Sequence, residues 1–94
     1  MEIEKSNIVR SATGRDKGKL FFVLAEEGEY LLLADGRSRK AESPKRKKRR
    51  HVCFVADDDT RLSAKIKNDE KITNSELRRT LAAYREEADP DREG

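Results

Sequence analysis

Between residues 37 and 50 the chain carries nine cations, Arg37, Arg39, Lys40, Lys45, Arg46, Lys47, Lys48, Arg49 and Arg50, against one acid, Glu42. A block of that density repels itself unless an anion neutralises it, and nucleic acid phosphate is the commonest such anion. Phosphate contacts supply most sequence-independent affinity through counterion release. Arginine adds a planar fork of donors that grips phosphate and stacks on exposed bases. An anionic membrane surface is a poorer match, because the run lacks the interleaved apolar face of an interfacial helix. Residues 44–50 also pass as a nuclear localisation signal, a pattern common in RNA-binding proteins. The second candidate is Gly14-Arg15-Asp16-Lys17-Gly18. Gly18 lets a backbone approach closely, so backbone N–H groups could join Arg15 and Lys17 around an anion. The plain alternative there is a solvated turn.

The other reactive side chains carry less. His51 is the sole histidine and Cys53 the sole cysteine, with no further ligand cluster beside them, so neither a metal site nor a disulfide is expected. Between Val52 and Phe54, Cys53 reads as a strand residue packing as a small hydrophobe. A catalytic histidine would need a nucleophile and an orienting acid that no motif supplies. Asp57-Asp58-Asp59 reads as a helix-start feature, favourable to the macrodipole, rather than a metal site. Phe21, Phe22, Tyr30, Phe54 and Tyr84 read mostly as core, which leaves too few aromatics for a stacking platform or a proline-rich-peptide groove.

These residues need elements to position them, and 94 residues suffice for one small domain and an appendage. Charged residues make up 44% and hydrophobic ones 34%, a poor ratio for a large core. The apolar residues cluster before residue 57. The charge is uneven too: residues 1–56 hold 14 Lys/Arg against 8 Asp/Glu, and residues 57–94 hold 8 against 11. Residues 8–12, 19–25, 30–34 and 51–55 read as strands, with a fourth strand in chain order near residues 37–41 that Pro44 breaks or edges. Gly14 to Gly18, residues 26–29 and Asp35-Gly36 punctuate them. These strands are apolar on both faces, so the C-terminal segment is expected to cover one of them. There Asp59 or Thr60 can cap a first helix bearing Leu62 and Ile66. Thr73-Asn74-Ser75-Glu76 matches a capping box, and Leu77, Leu81, Tyr84 and Ala88 then share one face. The N-terminus is acidic and polar, and no apolar run reaches signal-peptide or membrane-span length.

The stretch from Ile8-Val9 through Gly14-Arg15-Asp16-Lys17-Gly18-Lys19 to Leu31-Leu32-Leu33-Ala34-Asp35-Gly36 resembles a KOW motif, with Gly18 where that motif has its hallmark glycine. Residues 35–40, Pro44-Lys45 through His51, and Thr73-Asn74 with Glu76-Leu77-Arg78, Leu81 and Tyr84 resemble small bacterial KOW-domain RNA-binding proteins. Those are named by likeness to KOW-bearing large-subunit ribosomal proteins of archaea and eukaryotes. The resemblance implies an SH3-like barrel of about five strands, an RNA-facing end carrying Arg15, Asp16, Lys17 and Gly18, and no catalysis. KOW domains of transcription elongation factors can bind proteins instead, so the basic run must supply the case for RNA.

The expected organisation is a KOW SH3-like barrel over residues 1–56 with its basic loop at 37–50, a helical segment over 57–88, and a flexible tail over 89–94. The expected function is non-enzymatic binding of structured RNA, ribosomal RNA above all, by phosphate contact and shape. Arg15, Lys17, Gly18, Arg37, Arg39, Lys40 and residues 45–50 are the expected contacts. Residues 45–50 are expected to stay mobile until RNA arrives, so that replacing Lys47, Lys48, Arg49 and Arg50 leaves the core untouched. A cytoplasmic monomer is expected, with ribosomal proteins as possible neighbours and no membrane, cofactor or metal. The rival is a protein-interaction KOW module docking on the ribosome or RNA polymerase.

Overall fold

The β-branched and aromatic stretches pair into a single antiparallel sheet. A computed structural model of the chain describes residues 2–88. Its strands are β1 (Asn7–Ser11), β2 (Leu20–Glu27), β3 (Tyr30–Ala34), β4 (Lys45–Lys48) and β5 (Val52–Asp57), in the order β4-β3-β2-β1-β5. A 3-10 turn, Arg49–His51, joins β4 to β5. The β1–β5 register shifts between Ile8 and Val9, and the β2–β3 register between Val23 and Ala25. Such bulges bend a strand and increase its twist. The tail 89–94 and the side chain of Ala88 lie outside the described residues.

Alternation splits the apolar residues between two faces. One gathers Ile3, Val9, Phe21, Val23, Leu31, Leu33 and Val52. The other carries Ile8, Leu20, Phe22 and Ala34, which would face water unless covered. Two helices cover it, α1 (Arg61–Lys67) and α2 (Asn74–Ala88), through Leu62, Ile66, Leu77 and Leu81, with Tyr84 partly buried against them. Thr60 caps α1, its side chain accepting from the Ser63 N–H. At α2 the capping box forms: the Glu76 N–H donates to Thr73 Oγ1 at 3.1 Å and the Thr73 N–H to Glu76 Oε1 at 2.8 Å. Buried Asp58 accepts from the Thr60 hydroxyl and N–H and from the Tyr84 hydroxyl, tying the entry of α1 to α2.

Three expectations are corrected. The fourth strand is not residues 37–41, which form a bend, but the basic run itself at Lys45–Lys48. Pro44 lies just before it, so its missing N–H costs no ladder bond. Cys53 does lie in β5 but is exposed, not packed. Phe54 is also exposed, at 36%. β5 is an edge strand: Cys53, opposite Arg10, lies on the face that the helices cover only in part, and Phe54, opposite Val9, lies on the other face at the margin of its core.

Candidate nucleic-acid interface

Two loops leave the same end of the sheet. Residues 12–19 join β1 to β2, and residues 35–44 join β3 to β4. The first is a closed turn. Gly18 sits at φ +91°, a conformation glycine adopts without strain, and its N–H donates to Ser11 O at 2.8 Å. The Lys17 and Lys19 N–H groups donate to Gly14 O and Asp16 O. The backbone N–H groups of residues 17–19 are therefore already engaged, and the side chains of Arg15, Lys17 and Lys19 are the loop's cations available to an anion. They are exposed.

The second loop is pinned at both ends. Asp35 accepts the Arg37 and Arg39 N–H groups, each at 2.9 Å, and the Ser38 hydroxyl at 2.8 Å. Burial works to raise its pKa, but these donors outweigh it and hold the carboxyl below its usual range. The first turns of α2 clamp the loop from the side. The Ala41 N–H donates to Asn74 Oδ1 at 2.8 Å, Asn74 Nδ2 donates to Glu42, and Arg78 Nη1 donates to Gly36 O at 2.7 Å. Gly36, at φ +79°, lies so close that an added β-carbon would run into Asn74 O. The Arg37, Arg39 and Lys40 side chains project from this braced loop into solvent.

The basic run is ordered, which overturns its expected mobility. Its neutralising acids come from elsewhere in the chain. Lys45 and Lys47 pair across from Leu33 and Leu31 and share their face. Lys47 is only 8% exposed; its ammonium donates to Asp16 Oδ1 at 3.1 Å and Thr13 O at 2.8 Å. Lys45 lies 3.3 Å from Asp16 Oδ2. Burial works to raise the Asp16 pKa, but the Ser11 hydroxyl at 2.7 Å and the two ammonium groups outweigh it and bring it to about 2. Arg46 pairs with Glu27 and stacks over the Tyr30 ring, 3.7 Å from its centroid. Lys48 approaches that ring at 5.9 Å. Arg49 binds Gly28 O, Ile3 O and Glu26, whose carboxyl the guanidinium holds below its usual range. Arg50 is exposed. Replacing residues 47–50 would thus disturb the core that Lys47 and Arg49 support.

No protein-family model and no curated protein matches the chain.

Between the two loops and the start of β4 lies an open cleft of about 310 Å³. Arg15, Lys19, Arg39 and Lys45 surround it, with Ser38 at its wall and Asp16 as its one carboxylate. Among the described residues, Arg15, Lys19 and Arg39 form no ion pair. Lys19 is not among the contacts expected from the sequence, although it stands in the stretch that resembles a KOW motif; its place beside Gly18 at the loop exit is the available signal. Among the described residues no cluster of His, Cys, Asp and Glu could hold a metal ion, and no helix is long and apolar enough to cross a membrane.

Proposed function

We propose that this chain is a non-enzymatic RNA-binding protein whose cationic cleft seats the phosphates of structured RNA. The observation that carries the reading is the convergence of Arg15, Lys19, Arg39 and Lys45, from three separate segments, on one cleft. Its lone carboxylate is already engaged by two lysines. Unneutralised cations held on braced loops lose little side-chain freedom on meeting phosphate, and the anion releases their mutual repulsion. Arg37, Lys40 and Lys17 extend the surface; Arg50 is exposed outside the cleft's lining, and Lys47 and Arg49 serve the fold. The SH3-like, KOW-type reading of the sheet is supported by its topology. β4 and β5 stand at opposite edges yet are joined by a three-residue turn. That turn bonds to both sides, the Arg49 N–H to Glu29 O and the Ala12 N–H to His51 O. Five strands laid flat would separate those edges by about 19 Å, further than such a turn reaches, which supports a sheet curled toward a barrel.

The test is crosslinking in cells followed by sequencing of attached RNA, with RNase treatment in parallel. The proposal expects one class of structured RNA, ribosomal RNA foremost, and loss of association after RNase. Association with ribosomal proteins or RNA polymerase that resists RNase would instead favour a protein-docking module.

A further inference from the structure

A second pocket, also about 310 Å³ and open, lies away from the cleft, between the N-terminal segment, the 3-10 turn and β5. Its floor is apolar, formed by Ile3 and Val52, which close one side of the core. Phe54 forms a wall. It pairs with Val9 across the ladder and so shares that core's face, yet remains 36% exposed. Arg49 also lines the pocket, fixed by its bonds to Ile3 O, Gly28 O and Glu26. Arg50 and Glu2 stand at the rim, and Arg50 forms no ion pair among the described residues. We infer that this pocket takes one unpaired RNA base, stacked on Phe54, with its phosphate on Arg50. A phosphate alone would leave the apolar floor and the ring unused. An apolar peptide would leave Arg50 uncompensated, and the acyl chain of a phospholipid would gain nothing from the flat face of the Phe54 ring. A base joined to its phosphate matches both, since any base has a π-face and stacks on an aromatic ring. The volume, at the low end of ligand pockets, suits a single planar ring system. The inference rests on the RNA-binding reading and adds to it recognition of an extruded nucleotide at a second point on the surface.

The experiment compares three RNA hairpins by fluorescence anisotropy at fixed salt: fully paired, with one bulged adenosine, and with the bulged nucleotide abasic. The full chain should favour the bulged hairpin over the other two. Phe54→Ala should remove that preference, a loss of about 10-fold on the bulged hairpin with little change on the paired one. Phe54→Leu keeps the apolar volume while removing the ring and should show the same loss, which separates stacking from any effect on folding. Arg50→Gln should reduce the salt slope by roughly one on the bulged hairpin. Equal wild-type affinity for paired and bulged hairpins would overturn the inference while leaving the RNA-binding reading intact, as would a Phe54→Ala loss shared by both. Absence of binding to any hairpin would overturn both. A concentration-dependent dimer abolished by Phe54→Ala would assign the pocket to a second copy of the chain and overturn the base.

Discussion

Asp16 anchors the basic strand, because it neutralises Lys45 and buried Lys47 together and accepts from Ser11. Its folded pKa of about 2 lies below the ordinary 3.8. The stabilisation it contributes is therefore complete above about pH 4 and is lost as pH falls through about 2. That shift corresponds to about 2 kcal/mol. Asp16→Asn should lower stability at neutral pH by about 2–4 kcal/mol, since it leaves Lys47 buried without its counter-charge. The variant should also show a flatter dependence of denaturant-measured stability on acid over that window. Lys47→Gln and Lys48→Gln provide the companion comparison. The first should cost about 2 kcal/mol or more and the second less than about 0.5 kcal/mol, although the two residues are neighbours of one charge type. Equal effects in urea melts would mean that Lys47 is not held by Asp16.

The two helices act at a larger scale, covering one face of the sheet and bracing the loop that carries Arg37 and Arg39. Leu81 is fully buried against Ile8, Leu20 and Phe22, so Leu81→Ala should destabilise by about 2–5 kcal/mol in chemical denaturation. Asn74→Ala removes the acceptor for the Ala41 N–H and the donor to Glu42. Amide exchange should then quicken at Ala41, and RNA affinity should fall several-fold without loss of any cation. Unchanged exchange at Ala41 would show that the loop holds itself. The elements set by local signals were readable in the chain. Tyr30–Ala34 is bounded by a glycine turn on one side and Asp35-Gly36 on the other, and the capping box at Thr73 names its own helix start. β4 was not readable in that way. Lysine and arginine have no strand preference, and residues 45–48 become a strand because Leu31 and Leu33 offer an open edge while Asp16 and Glu27 supply charge from distant positions. The candidate site was half legible for the same reason. Charge density picked out Arg39 and Lys45, and the glycine-bounded loop picked out Arg15, but only the pairing of loops brings them and Lys19 to one cleft. Cys53 and Phe54 were misjudged because an apolar pattern does not reveal that its strand lies at a sheet edge.

Across the whole molecule, the net charge of +3 understates the asymmetry that matters. The acids near the basic run are already engaged, Asp16 by Lys45 and Lys47, Glu26 by Arg49, Glu27 by Arg46 and Glu42 by Asn74, while Arg15, Lys19, Arg37, Arg39 and Lys40 stay exposed around one end. The account therefore predicts binding that depends steeply on salt and tolerates changes of RNA sequence, because phosphate contacts position a protein without reading bases. The most direct measurement is the salt dependence of affinity for a structured RNA, taken for the wild-type chain and for the triple variant Arg15→Gln, Lys19→Gln, Arg39→Gln. These residues are exposed and unpaired, so the variant should fold with near-normal stability. With about four to six phosphates engaged, log K should fall against log salt with a slope of roughly −3 to −5 for the wild type. The triple variant should bind more weakly on every RNA tested, with a slope shallower by roughly 2–3. Parallel slopes and equal affinities for the two proteins would contradict the account, because they would place the RNA, if bound at all, away from the cleft.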